Sequence, residues 1–240
     1  IENINFNGKS ISLISEDGAE NTIIQGEYNG GTLVKFENGE DLNTIIDGFT
    51  IRDAHHGENG GAIKCSNTSP YLRNLIITNN RIGWFLECPN GAGIYCENNS
   101  NPLVENVQII NNESTYSGGT GITCIGNSNP TIINTTISNN SNDWGCPGGS
   151  ALYTNDSSPE LRNCIISNNL SGMEVGWNET ILLRNTSNPI FINCIIYNNI
   201  SYEGYEGGEA LFDIDINSSL SINNSIIWNN ESELEEDIIF

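Results

Sequence analysis

The chain has 240 residues, with 30 Asp or Glu against 8 Lys or Arg, a formal net charge of −22. That balance excludes nucleic acid as a partner, because phosphate binding needs clustered Lys and Arg. No apolar run is long enough for membrane insertion as a helix, and the acidity reads as a solvated surface that keeps a secreted protein in solution.

In chain order, residues 1–59 read as two less regular coils. Ile1-Glu2-Asn3 already alternates like a strand, so a secretion signal is expected to lie outside this sequence. Thr44-Ile45-Ile46-Asp47-Gly48-Phe49-Thr50-Ile51 has the period-two alternation of a strand. It fits the register of the later coils, with Gly48 at a position that they give to Asn. Asp53 replaces the first Asn of a recurring pair.

Residues 60–230 form regular coils. Asn-Asn recurs at 79–80, 111–112, 139–140, 168–169, 198–199 and 229–230, at spacings of 28 to 32 residues. Five positions before each pair stands another Asn: 74, 106, 134, 163, 193 and 224. Two before that is an apolar residue (Leu72, Val104, Ile132, Leu161, Phe191, Ile222), and three after it is always Ile. Copies open on a Gly-rich turn and short strand, as in Gly60-Gly61-Ala62-Ile63-Lys64-Cys65 and Gly91-Ala92-Gly93-Ile94-Tyr95-Cys96. A polar turn ending in Pro comes next in five copies, where Pro costs no ladder hydrogen bond. Residues 231–240 begin a further coil or a tail.

Self-similarity at this period marks a solenoid. Three short strands per coil of about 30 residues fit a parallel β-helix, and the Leu-x-x-Leu-x-Leu core of a leucine-rich horseshoe is missing. The expected fold is all-β: a single three-sided parallel β-helix of about eight coils spanning 1–240. Equivalent positions then stack about 4.8 Å apart. The Asn column becomes a ladder of side-chain amides, each donating to the one beyond.

The Gly-Gly-Ala-Ile opening, followed by x-x-Asn and Asn-Asn, resembles bacterial right-handed parallel β-helix repeat proteins, including repeats of polymorphic outer-membrane and secreted surface proteins. The resemblance covers nearly the whole chain. It implies a right-handed, pectate-lyase-like solenoid and an extracellular or cell-surface setting. It implies no particular activity, since the scaffold carries adhesins, lyases and hydrolases alike.

Length variation falls after Asn-Asn, so these segments are expected to stack as a loop-rich face. They carry Trp84, Phe85, Glu87, Tyr116, Asp143, Trp144, Glu174, Trp177, Tyr202 and Tyr205. Aromatic rings beside acids form a sugar platform if exposed, and pack on the coil walls if not. Asp53, His55 and Glu58 are weak metal candidates, although adjacent His55 and His56 on a strand point to opposite sides. Calcium is the ion that loop carboxylates suit. Cys88 and Cys146, each before Pro, are a candidate disulfide if their loops lean together. The column Cys65, Cys96, Cys124 and the pair Cys164, Cys194 read as buried hydrophobes.

No catalytic set is identified. The leading reading is a non-catalytic extracellular or cell-surface module, adhesive and glycan-contacting or a structural spacer. The alternative is a polysaccharide lyase or glycoside hydrolase, which needs a base or paired carboxylates. A third is a self-associating fibre or array subunit. That reading rests on open coil ends and an apolar outer wall of Ile76, Ile110, Ile165, Ile195, Tyr197, Ile226 and Trp228.

Overall fold

The structure, a computed structural model, describes residues 3–57, 59–83, 90–115, 118–143, 148–172, 178–202 and 211–232. The coil opening at Gly60 shows the unit. Its strands are Ile63–Ser66, Tyr71–Arg73, Ile76–Thr78 and Arg81–Ile82. Each pairs in parallel with its counterpart in the neighbouring coils. Three of the resulting sheets are eight strands deep, as the repeat predicts, and the fourth has seven strands. The three expected strands per coil are present. The fourth, two or three residues long, comes after the Asn pair and carries no apolar signature of its own.

The register is the one the repeat implies. Leu72, Val104, Ile132, Leu161, Phe191 and Ile222 are mutual partners along the second sheet. Ile51, Ile77, Ile109, Ile137, Ile166, Ile196 and Ile227 are partners along the third. All but the last member of each column are buried. Cys65, Cys96 and Cys124 stack beside them in the first sheet. Cys164 and Cys194 sit at the bend between the second and third strands of their coils. All five are buried and free.

The bends use single left-handed residues. Asn74 and Asn79 bracket the third strand with φ of 52° and 55°, and every later regular coil repeats this. Asn tolerates that conformation better than other residues bearing a Cβ. The earlier coil uses Gly48 (φ 79°) and Asp53 (φ 62°) at the same two places, as the sequence register predicts.

The second Asn of each pair turns inward. Asn140 Nδ2 donates to Ile109 O at 3.0 Å and to Asn169 Oδ1 at 3.0 Å. Its own Oδ1 accepts from Asn112 N at 3.0 Å and Asn112 Nδ2 at 2.9 Å. The pattern runs unbroken from Asn80 to Asn230. A second, exposed ladder links Asn74, Asn106, Asn134, Asn163 and Asn193, with Nδ2 donating toward the N-terminus at 3.2–3.4 Å.

A third column escapes the periodicity reading. Before each turn Pro, the backbone N–H of Thr68, Ser100, Ser128, Ser157 and Ser187 donates to the serine Oγ of the next coil at 3.0–3.2 Å. Glu40 terminates this column, accepting from Asn38 N at 2.9 Å and Gly8 N at 2.8 Å. Burial raises the Glu40 carboxyl, but these backbone donors outweigh it and hold the carboxyl below its ordinary value.

The apolar outer wall is present toward the C-terminal coils. Ile165, Ile195, Ile226 and Trp228 are exposed, the last by 66%, whereas Ile76, Ile110 and Tyr197 are half-buried. Arg73 and Arg162 share one outward column, and each is committed to an acid, Asp47 and Glu160 respectively.

Asn140→Ala orphans two donors and an acceptor in a dry corner, which at about 1–3 kcal/mol per orphan predicts a loss of about 3 kcal/mol or more. Asn134→Gly keeps the left-handed bend and removes an exposed amide, for under about 1 kcal/mol. Urea midpoints at equal slope check the contrast.

Candidate functional site

The corner between the third and fourth strands builds the site. In successive coils the first residue of the pair faces out, giving the column Asp53, Asn79, Asn111. Two residues later the fourth strand presents a parallel outward column, His55, Arg81, Glu113, in register. The two columns flank an open groove of about 320 Å³. The inward Asn80 closes its floor, accepting from Ala54 N at 3.1 Å.

The charges in the groove are committed to one another. Arg81 Nη2 lies 3.1 Å from Glu113 Oε1. Arg52 Nε, just outside, lies 3.4 Å from Asp53 Oδ2. His55 Nε2 is buried and has no hydrogen-bond partner among the described residues. Burial, then the Arg81 cation, lowers the His55 pKa, while Glu113 acts against them, so the ring stays neutral at neutral pH. Its edge meets the Tyr28 ring at 4.6 Å and 85°, and Tyr28 is 53% exposed. An exposed aromatic packed on one wall residue of a groove that holds amides, carboxylates and a guanidinium can cover the apolar face of a sugar while the polar groups take hydroxyls.

Of the residues singled out from sequence, Trp84, Phe85, Glu87, Tyr116, Trp144, Glu174, Trp177 and Tyr205 lie outside the described residues. So do Glu58, Cys88 and Cys146. Asp143 ends the fourth strand of its coil, half-buried opposite Thr115. Tyr202 is exposed just past the strand Ile200–Ser201. Neither joins the groove. Asp53 and His55 do come together there, with His56 turned into the core as strand alternation requires. Among the described residues, no group of three or more His, Cys, Asp or Glu is placed to hold a metal ion. Arg81, Asn79, Asn111 and Tyr28 were not singled out. The signal for the first three was available: they occupy the repeat positions of His55 and Asp53.

A second polar feature sits on the outer side of the first sheet. Glu179 is fully buried, and neither carboxylate oxygen has a hydrogen-bond partner among the described residues. Burial and then the Asp213 carboxylate push its pKa up to about 8, against the pull of Arg184, which is paired with Asp213.

The two groups give pH effects of opposite sign. Stability owed to neutral His55 is present above its unfolded pKa of about 6.5 and is lost as pH falls through the lower folded value. His55→Gln therefore loses less stability than the parent between about pH 8 and pH 5. Stability owed to protonated Glu179 is present below the ordinary value of 4.5 and is lost as pH rises through about 8. Glu179→Gln raises the urea midpoint at about pH 8 and leaves it little changed near pH 4.5.

A protein-family model described as a right handed beta helix region matches residues 1–169 and 73–234. No curated protein and no solved structure matches the chain.

Proposed function

Because the chain belongs to the right-handed β-helix family, whose fold leaves function to the groups displayed on it, we propose its function from the groove. It is a non-catalytic module displayed outside the cell that contacts carbohydrate. The observation that carries this is the cavity between the columns Asp53–Asn79–Asn111 and His55–Arg81–Glu113, with the exposed Tyr28 ring packed against its His55.

Both groove carboxylates are engaged by arginines. With their charges already paired, both are placed to accept hydrogen bonds from the hydroxyls of a ligand. The net charge of −22 suits a soluble, displayed surface. The five described thiols are buried, so an oxidising exterior leaves them unreactive.

The test is affinity electrophoresis through a panel of neutral and acidic polysaccharides. At least one retards the chain, and Tyr28→Ala weakens that retardation about fivefold or more. Prolonged incubation with the retained polymer releases neither new reducing ends nor unsaturated ends. Retardation by none of the panel would refute carbohydrate contact, and released ends would make the module an enzyme.

A further inference from the structure

The first-Asn column distinguishes its own members. Asn139 Nδ2 donates to Ser138 Oγ at 3.3 Å, and Asn168 Nδ2 to Ser167 Oγ at 3.3 Å. Asn198 Oδ1 accepts from Asn229 at 2.7 Å. Asn79 and Asn111 are exposed, and their side-chain amides make no hydrogen bond among the described residues. The two uncommitted amides are the two that line the groove.

The groove also closes its own charge account. Arg81 balances Glu113, Arg52 balances Asp53, and the buried face of His55 holds the ring neutral. A ligand carboxylate reaching Arg81 would have to displace Glu113, against the field of a chain with net charge −22. A ligand ammonium would have to share Asp53 or Glu113 with an arginine already there. A hydroxyl faces neither cost, because it donates and accepts just as an amide does. Three successive coils contribute to the groove, so its polar groups extend about 10 Å along the solenoid axis.

Resting on the carbohydrate reading, we infer that the groove takes an uncharged sugar chain of at least two units, laid along the solenoid axis, with Asn79 and Asn111 each bonding one unit. Arg81 and Asp53, already neutralised, add hydrogen bonds without demanding a charge from the ligand. The polar groups of the groove span about 10 Å along the axis, a length that a single sugar ring does not fill.

The experiment runs the chain through gels containing a neutral β-glucan, polygalacturonate or glycol chitosan, each at low and high salt. Mono- and disaccharides of the retained polymer then serve as competitors. The expected result is retardation by the neutral polymer, insensitive to salt, relieved by the disaccharide and not by the monosaccharide. Asn79→Gly and Asn111→Gly each weaken it about tenfold, the worth of one good hydrogen bond. Glycine keeps the left-handed bend, so neither variant threatens the fold. Asn139→Gly, the same residue type one coil beyond the groove, behaves as the parent. Retardation by a charged polymer alone, fading with salt, overturns the uncharged class and leaves the carbohydrate reading standing. Neutral-polymer retardation untouched by Asn79→Gly and Asn111→Gly overturns the placement in the groove. No retardation by any of the three polymers overturns both.

Discussion

A coil that bends sharply three or four times leaves backbone donors and acceptors that face the interior, where water cannot reach them. The buried Asn column meets that requirement at the third bend. Each amide serves a carbonyl of the third strand one coil below, the amide side chain above, and the backbone N–H of its neighbour. An apolar residue there would strand all three partners, each at about 1–3 kcal/mol. A longer polar residue would not keep the spacing between strands of about 4.8 Å. The serine column does the same work before the turn prolines, with Glu40 supplying a carboxylate where the column ends.

These columns fix register, and register fixes everything else. Because bonded amides must lie one above another, inward Ile, Leu and Cys are forced into columns as well, and among the described residues the core fills from strands of two to eight residues. The small residues of the first sheet arise from the same closeness. A Cβ on Gly121 would fall 2.5 Å from the carbonyl oxygen of Ala151 in the next coil. Insertions are excluded from the bends and are tolerated after the Asn pair, where length varies.

The outer surface is under no such constraint, and there the columns diverge. Along the outward position of the fourth strand the chain reads His55, Arg81, Glu113, Ser141, Leu170, Ile200. Apart from Glu231, which follows Ile200, the charged members gather in the N-terminal half, where stacking brings Arg81 and Glu113 within reach of each other. The third sheet shows the converse trend, becoming apolar toward Ile226 and Trp228. One repeating scaffold thus carries a polar groove at one place and an apolar face at another, which is how a single fold family supports unrelated functions.

The sequence by itself determined the coil length, the number of coils, the inward residues of three strands, and the Asn residues that would ladder. Each is a property of local periodicity: residue identity recurs with the coil, and alternation within a strand decides which face a side chain takes. Even Gly48 and Asp53 were legible as bends in a coil with no Asn pair. The fourth strand was not, because two residues such as Arg81-Ile82 are too short to show alternation. The serine column was hidden because a serine before proline reads as ordinary turn chemistry. The groove belonged to the tertiary structure alone. Its character depends on which outward side chains are already committed, as Arg81 is to Glu113 and Asn139 to Ser138. The Arg81–Glu113 pair is made between coils at a distance that stacking sets, and no pattern within one repeat encodes it.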